Sequence, residues 1–183
     1  MRVITGTARG KRLAELEGMD TRPTTDRVKE GLFNAIQFDI EGRRVLDLFA
    51  GTGQLGIECL SRGAAECTFV DQRREAVAVI RRNLKTCGFE SQAQVIQGES
   101  LRTLGGQKRP FHLIFLDPPY DTPLLESALK TIADIDILSE NGIIVCESPV
   151  QRELPELDPP YRKDRTYRYG KIKVTLYRRD DQA

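Results

Sequence analysis

With 183 residues, 39% of them hydrophobic and 30% charged, the chain has the length of one domain with a full core and too much apolar content for a disordered one. No apolar stretch approaches a membrane span, no signal-like run follows Met1, and Cys59, Cys67, Cys87 and Cys146 are scattered without metal-type pairing or disulfide density, as in a reduced cytoplasm. The net charge of +1 is unevenly spread, with seven Lys/Arg against four Asp/Glu from Met1 to Lys29, eight against one from Tyr161 to Arg179, and an acidic middle. Basic ends suit a polyanion partner or, equally, solvated hairpin faces.

In chain order, Val3 to Thr5 and Lys11 to Leu16 are expected to pair as a hairpin around the glycine-bounded loop Gly6 to Gly10. Thr21-Arg22-Pro23-Thr24-Thr25-Asp26-Arg27-Val28 reads as a loop entering a helix, with Thr24 or Thr25 as N-cap and Asp26 at the positive end of the dipole. Val28, Leu32, Ala35 and Ile36 then recur at helical spacing, and the helix should end near Phe38. From Arg43 strands and helices alternate: strands at Val45 to Phe49, Cys67 to Val70, Ala93 to Ile96, Phe111 to Leu116 and Gly142 to Cys146, and helices at Leu55 to Arg62, Glu75 to Thr86 and Leu124 to Ala133. This alternation predicts βαβ units, hence an α/β domain with a mainly parallel sheet and helices on both faces. Tyr161 to Arg168 and the alternating Ile172, Val174 and Leu176 predict a terminal antiparallel hairpin. One domain is expected over 1–183, divided into a hairpin extension (1–20), an entry loop and helix (21–40) and the sheet-bearing core (41–183).

Two motifs carry chemistry. The first is Asp47-Leu48-Phe49-Ala50-Gly51-Thr52-Gly53-Gln54-Leu55-Gly56, a G-x-G-x-x-G between strand and helix, with Asp71 twenty residues after Gly51. Such a loop brings backbone close to a ligand while a carboxylate holds ribose hydroxyls, which by itself allows NAD or another adenosyl cofactor. Asp47 adds a preference, because a carboxylate beside the loop attracts a cationic amino group and repels a pyrophosphate. The second motif, Asp117-Pro118-Pro119-Tyr120, ends the most apolar strand. The prolines stop the ladder and leave a carboxylate and an aromatic ring at a strand's C-terminal end, where α/β sheets bind ligands. The same letters recur at Asp158-Pro159-Pro160-Tyr161 behind a polar, proline-containing stretch, which reads as a connector. His112, the only histidine, begins a strand and is expected to be structural.

Asp47 to Gly53 together with Asp117 to Tyr120 resembles class I S-adenosylmethionine-dependent methyltransferases that modify exocyclic amines of bases. Ile4-Thr5-Gly6, Arg9-Gly10, Arg22-Pro23-Thr24-Thr25-Asp26-Arg27-Val28-Lys29-Glu30 and Leu32-Phe33-Asn34 are more narrowly similar to the RsmD family, bacterial 16S ribosomal RNA guanine-N2 methyltransferases. The resemblance runs nearly end to end. It implies a Rossmann-like seven-stranded fold and S-adenosyl-L-methionine as cofactor, cradled by Phe49, Ala50, Gly51, Thr52 and Gly53 with Asp47 near its amino group. Asp71 would hold the ribose, and Glu99 and Ser100 the adenine end, although Glu99 fits a helix cap equally well. Asp117 and the Pro118 carbonyl would accept hydrogen bonds from the target amine, Pro119 would stiffen the turn and Tyr120 would stack on an unpaired or flipped base. No metal is required. The implied partner is 16S ribosomal RNA in an assembling small subunit, met by a monomer, with Arg9, Lys11, Arg12, Arg22 and Arg27 as candidate phosphate contacts. Internal carboxylates compete for Arg22 and Arg27. Adenine-N6 or cytosine-N4 methylation, an NAD-dependent oxidoreductase and a non-enzymatic RNA-binding module are the competing readings.

Overall fold

In a computed structural model describing residues 1–18 and 25–181, the alternation after Arg43 becomes one seven-stranded sheet. Its parallel strands are β1 (Arg44–Asp47), β2 (Glu66–Asp71), β3 (Ala93–Gln97), β4 (Phe111–Leu116) and β5 (Leu138–Pro149). β6 (Tyr161–Tyr169) and β7 (Ile172–Arg179) add the expected antiparallel hairpin, and the spatial order is β3-β2-β1-β4-β5-β7-β6. The helices are α1 (Asp26–Ala35), α2 (Gln54–Ser61), α3 (Arg74–Cys87), α4 (Ser100–Gly105) and α5 (Leu124–Ile135). Alternate residues of each strand enter two cores. Val45, Leu113, Phe115 and Val174 pack with Leu32 of α1, Ile57 of α2 and Ile80 of α3. Leu46, Ile114, Leu116 and Tyr177 pack with Leu104 of α4 and Leu129 of α5. The sheet is thus covered on both faces, which is why its central strands read as continuous apolar runs.

Several elements depart from the sequence reading. α1 starts as expected, with the Thr25 hydroxyl accepting the Val28 N–H, but it ends at Ala35, and Ile36 to Phe38 form a turn. The Thr21 to Thr24 part of the entry loop, with Arg22, lies outside the described residues. β1 stops at Asp47 because the chain turns into the glycine loop, whereas β5 runs much longer than Gly142 to Cys146. α4 has too short an apolar period to be read as a helix; its start is fixed by Glu99, whose carboxylate accepts the N–H groups of Leu101 and Arg102.

Among its described residues, the N-terminal extension pairs antiparallel with itself through one bridge, Arg2 to Arg12, and forms no extended strands. Side chains of α2 hold it instead. Glu58, fully buried, accepts the N–H groups of Ile4 and Thr5 at 2.9 Å each and ion-pairs with Lys29 of α1 at 3.1 Å and Arg62 at 3.0 Å. Gly6 is forced by this docking: it has φ +89, and a Cβ there would stand 1.8 Å from the Ser61 carbonyl oxygen. A buried charge removed from its partners is strongly destabilising, so this ion cluster makes the extension part of the core.

Candidate active site

Strand order reverses at the β1–β4 pair, where Leu46 faces Ile114 and Asp47 faces Phe115. Chain connections leave in opposite directions from such a pair and open a crevice at its C-terminal ends. Four strands reach this end of the sheet with an acid: β1 at Asp47, β2 at Asp71, β4 followed by Asp117, and β5 carrying Glu147. Asp47 keeps the side-chain parity of Val45, and Asp117 that of Leu113 and Phe115, so both point to the α1–α3 face. The cleft there has a volume of about 930 Å3 and is lined by Asp47, Phe49 to Thr52, Gln54 and Leu55, by Asp71 to Arg73, Glu99 and Ser100, and by Asp117 to Asp121, with Gly53 just outside the lining.

Asp47 is 2% exposed, and its Oδ2 accepts the Gly56 N–H at 3.1 Å. Burial pushes its carboxyl up to about 7; the Gly56 bond opposes this and the charge of Asp71 adds to it. Gly56 is glycine because a Cβ would meet the Phe69 ring at 2.3 Å, so α2 can lie this close to β2. Gly51 (φ +57) and Gly53 (φ +82) occupy the left-handed region and turn the chain from β1 into α2. Asp71 ties this loop down, its Oδ2 accepting the Gly51 N–H at 3.0 Å and its Oδ1 the Arg73 N–H at 2.9 Å, with the Arg73 guanidinium at 3.2 Å. Glu99 caps α4 and also lines the cleft.

Across the cleft, burial and then the neighbouring charges of Glu147 and Asp47 push the Asp117 carboxyl well above the ordinary carboxylate range. The Tyr120 hydroxyl donates to Glu147 at 2.5 Å, which fixes the ring beside Asp117. Arg152 holds the same turn from outside. Its guanidinium donates to the carbonyls of Tyr120 at 2.8 Å and Thr122 at 2.6 Å and pairs with Glu126 at 2.6 Å.

Several of these residues carried no signal in the motifs. Arg152 lies in the stretch that reads as a mere connector. Gln54 lines the cleft with its Oε1 buried and without a hydrogen-bond partner. Met1, Glu15 and Leu16 form a wall of the cleft, positioned by Asn83, which bonds both backbone groups of Ala14 and donates to the Thr52 carbonyl at 2.9 Å. Glu147 did have a signal, because it repeats the pattern of an apolar strand ending in an acid. Among the remaining sequence candidates, Arg9, Arg12 and Arg27 are exposed, and Lys11 donates to the Thr86 carbonyl at 2.8 Å. Thr86 and Ser61 mark the far ends of α3 and α2, so the Gly6–Gly10 loop lies at the end of the sheet opposite Asp117. His112 accepts the Arg44 N–H at 3.0 Å, and Asp158 is exposed in the turn before β6. Among the described residues no group of acids, His and Cys has the arrangement of a metal site.

The family model described as "Conserved hypothetical protein 95" matches residues 1–178. The chain is 43% identical over 182 residues to YlbH of Bacillus subtilis, covering 98% of this chain and 99% of that one. It is 34% identical over 183 residues to the ribosomal RNA small subunit methyltransferase D of Escherichia coli K12, covering 100% and 92%. Among solved structures, Escherichia coli yhhF superposes with a TM-score of 0.89 at 35% identity, covering 100% and 99% of the two chains. The chain therefore belongs to the "Conserved hypothetical protein 95" family, the RsmD family of S-adenosylmethionine-dependent ribosomal RNA methyltransferases.

Proposed function

We propose that this enzyme transfers a methyl group from S-adenosylmethionine to the exocyclic N2 amine of a guanine in 16S ribosomal RNA. The observation that carries the reading is the meeting of Asp47 and Asp117 in one cleft, at the ends of neighbouring strands and on the same face, with the Tyr120 ring beside them. The cleft's chemistry fits the cofactor. Its buried carboxylates bear raised proton affinities and lack a full complement of cations, and the Gln54 carbonyl lacks a donor. A ligand with a sulfonium and an ammonium group answers both deficits, whereas the pyrophosphate of a dinucleotide would meet repulsion.

S-adenosylmethionine supplies an electrophilic methyl group on a sulfonium. Asp47 would hold the ammonium end and the Gly51–Gly53 backbone the methionine part. Asp71 accepts the Gly51 and Arg73 N–H groups and the Arg73 guanidinium, so ribose hydroxyls would take the places of the guanidinium bonds, and Glu99 and Ser100 border the adenine end. The Asp117 carboxylate and the Pro118 carbonyl accept hydrogen bonds from the guanine amine and aim its lone pair at the methyl carbon, which is catalysis by positioning. The raised proton affinity of Asp117 also lets it take the proton the amine sheds after methylation. Tyr120, held by Glu147, stacks on the base at about 1–3 kcal/mol.

We place the reaction in the cytoplasm, on RNA within an assembling subunit; no described helix is long and apolar enough to cross a membrane. Nucleoside mass spectrometry of 16S RNA from a strain lacking the gene should show one N2-methylguanine missing, restored by the purified enzyme. Restoration of N6-methyladenine or N4-methylcytosine instead would overturn the choice of base. Comparing naked 16S RNA with subunits from that strain decides the form of the substrate.

A further inference from the structure

The hairpin β6–β7 carries the densest positive charge of the chain, and seven of its eight cations fall into two groups, the eighth, Lys173, being buried in register with Ser148. At the end away from the cleft each has an acid: Arg162 meets Asp164 at 2.8 Å, Lys163 meets Glu156 at 3.0 Å, Arg178 meets Asp164 at 2.8 Å and Arg179 meets Asp136 at 2.6 Å. At the cleft end, Arg165, Arg168 and Lys171 are exposed and form no ion pair among the described residues. The positive balance read from the sequence therefore survives as net field only at one end.

That end adjoins the reacting groups. Glu147 is in register with Val174, and Val174 with Tyr167. The pair after Leu116 and Cys146 is Asp117 and Glu147, so one cross-row of the sheet runs Asp117, Glu147, Val174, Tyr167. Residues in such a row share a face, and three strand spacings put Tyr167 about 14 Å from Asp117. Tyr167 and Tyr169 are half-buried on this face. β6 is also the sheet edge; along it Arg165 shares the face of Tyr167, Arg168 stands on the opposite face and Lys171 lies in the turn, so the three cations flank the edge from both sides. Lysine and arginine on an edge strand commonly block strand addition. That role would be served equally along the whole strand and does not account for the division.

Building on the proposed reaction, we propose that Arg165, Arg168 and Lys171, with Tyr167, form the track that holds the single-stranded RNA flanking the target guanine. The cations take phosphates within a few nucleotides of the flipped base, and Tyr167 offers a ring to a neighbouring base. The track lies at the cleft end of the sheet, opposite the end that carries Arg9 and Lys11.

The test is the salt dependence of binding to 16S RNA transcripts and to subunits from the deletion strain. Arg168→Ala with Lys171→Ala should make the slope of log K against log salt shallower by about 1.4–1.8, two contacts' worth, with affinity for S-adenosylhomocysteine unchanged in calorimetry. The matched pair Arg162→Ala with Lys163→Ala should leave the slope as in wild type. Tyr167→Leu should raise KM for RNA without altering the slope. An unchanged slope in the Arg168/Lys171 variant, or an equal change in the Arg162/Lys163 variant, overturns the track. A wild-type protein indifferent to S-adenosylhomocysteine but showing the expected slopes would overturn the proposed reaction and leave the track standing.

Discussion

Replacing Asp47 by Asn should stabilise the ligand-free protein at alkaline pH while disabling it. The carboxyl is 2% exposed and its proton affinity is raised from the ordinary 3.8 to about 7, mainly by burial. An acid with a raised folded-state value contributes stability that is fully present below 3.8 and lost as pH rises through about 7. At about 1.4 kcal/mol per pH unit, that interval amounts to about 4 kcal/mol of stability lost by pH 8. Asn keeps an oxygen for the Gly56 N–H and removes the ionisation. Its extra buried N–H group adds a cost of about 1–3 kcal/mol that does not vary with pH. The signature is therefore the change in the difference between variant and wild type, not its absolute sign. Urea unfolding followed by circular dichroism at pH 4.5 and pH 8 should show the variant gaining several kcal/mol on wild type across that range. The same variant should bind S-adenosylmethionine far more weakly, and wild-type affinity should climb with pH up to about 7 as the cation displaces the proton. Parallel pH–stability curves for the two proteins would refute the assignment of Asp47 as a strained, ligand-directed acid.

Other substitutions separate the parts of the site. Asp117→Ala should lower kcat by at least about a thousandfold with affinity for S-adenosylhomocysteine within a few-fold of wild type, while Asp158→Ala leaves turnover intact; the reverse pattern would mean that the wrong copy of the motif had been chosen. Arg152→Ala frees the carbonyls of Tyr120 and Thr122 and should lower kcat by about a hundredfold through misplacement of the Asp117 turn. An unchanged kcat there would show that the prolines alone hold the turn. Gln54→Leu should weaken S-adenosylhomocysteine binding by about tenfold, the cost of a hydrogen bond to a charged group, and spare 5′-methylthioadenosine, which lacks the amino-acid end; equal losses for both ligands would remove Gln54 from that subsite.

The sequence was most legible where local pattern and tertiary burial agree. β4 was read to the residue because Phe111 to Leu116 is buried on both faces and the prolines end it at a fixed place. Boundaries drifted where the stop signal is tertiary. β5 extends to Pro149 because β7 offers it a partner through Ser148 and Pro149, and no local pattern announces that partner. The N-terminal turn was foreseen from its glycines, but among the described residues its strands reduce to the one Arg2–Arg12 bridge, and its anchors carry no local signal. Glu58 and Asn83 read as ordinary polar positions on helices, and only the fold brings Ile4, Thr5 and Ala14 to them from more than fifty residues away. Arg152 was passed over for the same reason, since a cation in a polar connector has no distinguishing neighbour in sequence.

What the chain does announce is the recurrence of an acid after an apolar run: Val45-Leu46-Asp47, Phe69-Val70-Asp71, Phe115-Leu116-Asp117 and Val145-Cys146-Glu147. In a parallel sheet this repeat has a physical consequence that no single motif has. Parallel strands present all their C-terminal ends to one side, so four acids in four such strands converge at one end whatever the loops do. Three of them find fixed donors there: Asp71 takes the loop N–H and Arg73, Glu147 takes the Tyr120 hydroxyl, and Asp47 takes the Gly56 N–H. Burial, and after it the charge of neighbouring acids, raises the proton affinities of Asp47 and Asp117, and no cation among the described residues offsets it. Asp71 and Glu147 shape the site, and Asp47 and Asp117, whose charge no described cation offsets, define what it must bind. A cation arriving beside Asp47 offsets part of that penalty and lowers the proton affinity of both acids. Loading of the cofactor thereby favours Asp117 in its ionised form, the state in which it accepts hydrogen bonds from the guanine amine.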